Sequence, residues 1–242
     1  MRILFVLLLS CLTLTAFPSE KPDSLKNKLD AACGFSLNSN GLASIPAFSL
    51  GAPAFIASPS VGKGRFSFDA TLGYSLEMKP WYIDSWFHYK LIVKPKFELK
   101  AGINFSTFAE KYELSEGDIL QAQRYFAFSI SGMYKFSSVS YLSLDYWSDN
   151  GQDRRTIRGH FVALDYDRSE ISLGGRCLLD ANLMLFYINY TGRNDGLFIS
   201  PKLTLSGRDF PAAFFLQANQ SLQSNITPWP GFHLNIGISY TL

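Results

Sequence analysis

The stretch FELKAGINFST, residues Phe97–Thr107, decides the fold. Read two residues at a time, it puts Phe97, Leu99, Ala101, Ile103 and Phe105 on one side. Glu98, Lys100, Gly102, Asn104 and Ser106 fall on the other. A helix would scatter these two sets around its axis, whereas a strand sends alternate side chains to opposite faces. The segment is therefore a β-strand with one wholly apolar face and one face carrying charge in mid-strand. What such a strand can bury, and against what, sets everything else.

The neighbouring sequence repeats the pattern. Phe66, Phe68, Ala70, Leu72, Tyr74 and Leu76 oppose Ser67, Asp69, Thr71, Gly73 and Ser75. Trp81, Ile83, Phe87, Tyr89, Leu91 and Val93 oppose Tyr82, Asp84, His88, Lys90 and Lys94. Shared faces recur at Phe126/Phe128/Ile130/Tyr134/Phe136, Leu142/Leu144/Tyr146, Val162/Leu164/Tyr166, Leu197/Ile199/Pro201/Leu203/Leu205 and Phe214/Leu216/Ala218. The apolar run Cys177–Tyr190 adds a strand of ambiguous phase. The C-terminal stretch alternates Phe232, Leu234, Ile236, Ile238, Tyr240 and Leu242 with His233, Asn235, Gly237, Ser239 and Thr241. The expectation is an all-β, antiparallel, up-and-down barrel of about ten strands, within a range of eight to twelve, spanning residues 65–242. Its connections alternate between very short turns and longer polar loops such as AEKYELSEGDILQ, SDNGQDRR and NITPWPGF.

Alternation alone does not say which face looks outward, because a soluble lipocalin-type barrel also alternates, with its apolar face inside. Strand length favours the inverted arrangement, since runs of about 10–14 residues suffice to cross a bilayer at the usual tilt. So do the ionisable groups within strands. Asp69, Asp84, His88, Lys90, Glu98, Lys100 and Asp145 are the expected lumen-facing residues, where they can pair with one another and with water. Tyr74, Trp81, Tyr134, Tyr146, Tyr166, Tyr190 and Tyr240 fall near strand ends and are the expected membrane-interface aromatics. Closure then follows from the backbone: in hydrocarbon each unpaired N–H or C=O costs several kcal/mol, so no free sheet edge persists there.

Residues 1–16 read as a secretory signal peptide, with Arg2, an apolar run from Ile3 to Leu14 and small residues near Ala16. Residues 17–64 read as a periplasmic lead, its Pro46, Pro53 and Pro59 suggesting extended loop. That segment is a candidate lumen plug, a strap across the periplasmic mouth or one imperfect hairpin. The formal charge of +2, from 22 basic and 20 acidic residues, gives no electrostatic case for nucleic acid. Aromatics at 15% against charged residues at 17% fit a chain facing lipid. Cys33 and Cys177 lack metal-site spacing, and no cofactor is implied.

The terminal strand, with Tyr240 and the alternating apolar residues behind it, resembles the C-terminal assembly signal of Gram-negative outer-membrane barrels. Leu242 stands where that signal usually has Phe. The stretch Ile45–Phe68 and the turn Lys79–Trp81 also resemble small, uncharacterised outer-membrane barrels of Bacteroidota. The resemblance implies an outer-membrane location, with lipid, lipopolysaccharide and the barrel-assembly machinery as partners. It carries no activity with it. Of the histidines, His88 shares a face with Asp84, but four residues along a strand is about 13 Å, too far for a dyad. His160 lies on the lipid phase, and His233 opens the last strand. None has a catalytic neighbourhood in sequence. The reading is a non-catalytic barrel with a structural or surface-interaction role, Trp229 being a candidate outer-loop anchor. A narrow pore for small solutes and a lipid-modifying hydrolase are the alternatives.

Overall fold

A computed structural model describes residues 29–114, 117–154, 156–191, 194–226 and 231–242, without the side chains of residues 110–114 and 117–120. The expected signal peptide and Trp229 lie outside the described residues. Twelve strands form one ring: β1 (Asp30–Asn38), β2 (Ala54–Lys63), β3 (Phe66–Ser75), β4 (Pro80–Val93), β5 (Phe97–Leu114), β6 (Gly117–Ser137), β7 (Ser140–Gly151), β8 (Gly159–Gly174), β9 (Cys177–Tyr190), β10 (Asn194–Gly207), β11 (Phe210–Ser224) and β12 (Phe232–Thr241). Every strand pairs antiparallel with its sequence neighbour, and β1 closes the barrel on β12 through Gly34↔Thr241 to Asn38↔Gly237.

The strand count corrects the expectation of about ten. The ten segments identified by alternation are β3–β12, and the extra pair is β1–β2. The barrel therefore starts at Asp30 and not at Arg65. Two features hide β2 from a period-two reading. Its lumen face is Ala54, Ile56, Ser58, Ser60 and Gly62, and its outer face includes Ala57 and Pro59, so polarity barely alternates. Pro59, which has no N–H to give, sits where the β2–β3 ladder skips from Ala57↔Leu72 to Ser60↔Asp69. Of the expected loop AEKYELSEGDILQ, residues 109–114 and 117–121 are also strand. The β5–β6 ladder continues from Phe108↔Gln123 to Leu114↔Gly117, past the last β4 and β7 pairs, as a two-stranded ribbon above the rim.

Side-chain exposure settles the orientation. Ile103, Phe105, Phe128, Ile130, Leu144, Leu234 and Ile236 are all exposed, while Asp84, Asn104, Ser131, Ser143, Ser200 and Asn235 are buried. Greasy residues outside a closed ring and polar ones within it are the inverse of a water-soluble protein. The two rims differ too. One has the turns at residues 64–65, 94–96, 138–139, 175–176 and 208–209, together with the C-terminal end of β12. The other carries the longer connections, the longest being residues 39–53. We call these the short-turn rim and the loop rim.

Candidate functional site

The functional features lie inside the ring, and the 39–53 connection organises them. Its backbone folds on itself: Gly41 N–H donates to Ala52 O, Leu50 N–H to Gly41 O and Ala43 N–H to Phe48 O. A turn closes the tip, Phe48 N–H donating to Ile45 O at 3.0 Å with Pro46 at the second position, where its fixed φ suits the turn. These bonds satisfy the backbone, and so the loop can leave the rim and enter the lumen. Ala47, at the tip, is 2% exposed and packs with Phe161 and Ala163 of β8, Phe186 and Ile188 of β9, and Phe198 of β10. In a twelve-membered ring β8 stands opposite β2, so the loop crosses the bore from wall to wall.

The root of this crossbeam is fixed as well. Ala43 packs on Trp81 and Tyr82, and the Ser44 hydroxyl donates to Asp84 at 2.8 Å. The second oxygen of Asp84 accepts from Asn104. Gly41 has to be glycine here, since a Cβ would fall 2.7 Å from Ala54 Cβ and 2.9 Å from the Trp81 ring. At the strand seam, Asn235 donates to Asn38 at 2.9 Å and accepts from Asn40 N–H, tying the beam's start to the closure of the barrel.

The beam has a cavity on either side. One, about 220 Å³, lies between the beam and β4–β9 toward the loop rim. Aromatic rings dominate its wall and run on as a ladder: Trp86–Trp147 at 5.1 Å between centroids, Trp147–Phe161 at 4.6 Å, Phe161–Phe186 at 5.5 Å and Phe186–Phe198 at 5.0 Å. The other cavity, about 230 Å³, is lined by β1, β2 and β10–β12 and is mostly hydroxyl and amide, with Lys202 its one ammonium group among the described residues. Lys202 Nζ lies 4.9 Å from the centre of the Phe215 ring.

Toward the short-turn rim the lumen is ionic. Lys90 Nζ pairs with Glu98 at 3.0 Å. Asp69 accepts from Ser67 at 3.0 Å and lies 3.0 Å from His88 Nδ1, while the His88 ring stacks on Trp86. Asp145 accepts from Ser143 at 2.9 Å, and Asn182 donates to both Asp165 and Asp167. Among the described residues, inward-facing Asp30, Asp69, Asp84, Glu98, Asp145, Asp149, Asp165, Asp167 and Asp180 outnumber inward-facing Lys90, Lys100, Lys135 and Lys202. The lumen is therefore an acidic environment inside a near-neutral chain.

Each expected lumen residue (Asp69, Asp84, His88, Lys90, Glu98, Lys100, Asp145) occupies the inward register. Alternation could not reveal their partners. The His88 partner is Asp69 on the adjacent strand, and among the described residues no nucleophile is hydrogen-bonded to His88. His160 stays on the outer surface, 2.9 Å from the Tyr146 hydroxyl. His233 faces inward opposite Asn219. Among the described residues, no group of three or more His, Cys, Asp or Glu side chains could hold a metal ion.

Of the expected interface aromatics, Tyr134, Tyr146, Tyr166 and Tyr240 are exposed on the outer wall, and Tyr74 shares its register. Trp81 and Tyr190 differ. A bulge opposite Gly73/Tyr74 turns Trp81 inward, leaving it 8% exposed against the beam. Tyr190 lines the aromatic cavity and packs on the Ala47 cluster. Both sit at strand ends, where alternation loses its phase. The sequence reading also missed Ala43, Ser44, Ala47 and Phe48, because a beam inside a barrel leaves no periodic mark.

The chain matches no protein-family model and no curated protein. Solved structures do share its architecture. A KdgM porin in complex with disordered oligogalacturonate superposes with a TM-score of 0.55 at 9% sequence identity, over 86% of this chain and 98% of that one. A second KdgM porin structure gives 0.54 at 10%, over 86% and 98%. The NanC porin gives 0.52 at 9%, over 87% of this chain and all of its own, 100%. The fold is that of outer-membrane porins. With its apolar exterior and sealed ring, the chain is an outer-membrane β-barrel.

Proposed function

We propose that this barrel is a narrow, beam-constricted pore for small solutes, with no catalytic role. A structural or surface-interaction barrel, the reading that sequence alone favours, needs neither an internal beam nor cavities beside it. The observation that carries the pore reading is the crossing of the lumen by residues 39–53 with a cavity on each side. The porin architecture of the similar structures supports it. Twelve strands enclose more space than ten, though less than the roughly 16-stranded porins that hold wide aqueous channels. With the beam in place the conduit is narrow.

An acidic lumen sets the preference. Carboxylates in a low-dielectric bore attract cations and repel anions over distances comparable to the bore itself. A polyanion such as the oligogalacturonate bound to one KdgM structure is a poor fit for this interior. The experiment is single-channel recording of the purified chain in planar bilayers under a KCl gradient. Small unitary conductance with a reversal potential favouring K⁺ is expected, and replacing residues 41–51 by a short Gly-Ser link should enlarge the conductance. A folded barrel that stays electrically silent with and without the beam would refute the pore.

A further inference from the structure

We propose that the aromatic cavity beside the beam is a binding site for small organic cations of the alkylated-ammonium class. For access the inference rests on the pore reading, since the cavity opens within the lumen. Its wall combines the rings of Trp86, Tyr125, Trp147 and Tyr190 with the carboxylates of Asp84 and Asp149, and among the described residues no Lys, Arg or His lines it. That composition puts two carboxylates in the wall with no ammonium, guanidinium or imidazole beside them there; Arg158 and His160 lie outside the wall and act on Asp149 through space without forming an ion pair with it. Asp84 is only 6% exposed, and its hydrogen bonds come from the neutral donors Ser44 and Asn104. Asp149 accepts from the Gly159 N–H. Neither carboxylate has an ion-pair partner within 4.0 Å among the described residues. The lumen lysines Lys90 and Lys100 face each other six residues along the strand from Asp84, and Lys90 is engaged with Glu98.

Burying unpaired carboxylates is costly, and a cation that enters restores the balance. The rings decide which cation. An aromatic face attracts a positive charge most when that charge has shed its water, and methylated ammonium sheds it readily. The same lumen already uses this contact once, at Lys202 over Phe215. A cavity of about 220 Å³ is many times the roughly 10–15 Å³ that one water needs, enough for a small organic cation. An anionic ligand would meet Asp84 and Asp149 with no cationic side chain among the described lining residues. A neutral sugar would gain the rings but not the charge.

The probe is choline, with 3,3-dimethylbutan-1-ol as its uncharged isostere. Each is added on the loop-rim side of the full barrel in planar bilayers, and separately titrated against tryptophan emission in detergent. Choline should interrupt the current and shift the emission saturably, while the isostere does neither. Asp149→Asn should weaken the choline response about tenfold, the loss of one close charge in a partly desolvated site. Trp147→Leu should weaken it too, with the heat-modifiable gel mobility of both variants retained. If Asp84→Asn fails to form a heat-modifiable barrel, Asp149→Asn decides alone. A channel that conducts KCl but treats choline and isostere alike overturns the site and leaves the pore standing. So does an Asp149→Asn variant with an unchanged choline response. A barrel that carries no current yet shows the choline-specific emission change overturns the pore and leaves the site standing.

Discussion

Replacing Ala47 by aspartate tests whether the crossbeam closes the bore. The tip is seated by the Ala47 methyl and by partly buried Ile45 and Phe48 against Phe161, Phe186, Ile188 and Phe198. One methyl is worth about 0.8 kcal/mol and each half-buried larger side chain about 1 kcal/mol, so the seat is worth about 3 kcal/mol. An ionised carboxylate among those rings is prohibitive, so the substituted side chain could occupy the seat only when protonated. At pH 7, about three units above an ordinary aspartate, protonation costs about 4 kcal/mol. The cost exceeds the seat, and the tip should leave the wall. The unitary conductance of Ala47→Asp should therefore rise severalfold at pH 7. It should fall back near pH 4, where about half of the introduced carboxyls are neutral at little cost. Ala47→Ser, similar in size and never charged, should show no such pH dependence. If Ala47→Asp is heat-modifiable and its conductance matches the parent at both pH values, the beam does not limit the current.

Three further outcomes follow from other parts of the barrel. Ile236→Arg puts a charge at mid-strand on the lipid face, where the cost is about 2–4 kcal/mol, so the urea midpoint of refolding into lipid vesicles should drop. Gly237→Val should impair closure at the β12–β1 seam, because its Cβ would strike the Leu37 carbonyl oxygen and the Phe215 ring. Backbone cannot yield there as a side chain can, and a cost of about 1–3 kcal/mol should show as unfolding on gels at lower temperature. At the loop rim, Arg124 donates to Asp153 through its guanidinium and its backbone N–H, holding that carboxyl below the usual aspartate value of 3.8. A depressed carboxyl stabilises above its unfolded pKa and loses that contribution as pH falls through the folded one. Protease cleavage within residues 152–158 should thus be uniform from pH 7 to pH 5 and accelerate only below about 4.

Most of the wall was legible in the sequence because the bilayer enforces a strict rule on it. Phe97–Phe105 and Phe232–Tyr240 must show lipid an apolar face at every second position, and any slip would put a lumen charge in hydrocarbon. β1 and β2 escaped that rule: small residues on both faces and Pro59 blur the alternation. The site was less legible. Asp84 and Glu98 were placed in the lumen by phase alone, but whether they meet Ser44 or Lys90 depends on strand register and on a loop with no period. The inward turn of Trp81 depends on a single bulge, which moves one residue across the wall with no local change in composition.

The crossbeam also constrains how the molecule is made. Its root lies between the first two strands, while its seat is built from β8, β9 and β10, far later in the chain. No contact at the tip can form until most of the ring exists, and once β12 has zipped onto β1 the tip can reach its place only from the mouth. Maturation should therefore show two kinetic steps, a sheet that becomes resistant to unfolding first and an interior that finishes filling afterwards.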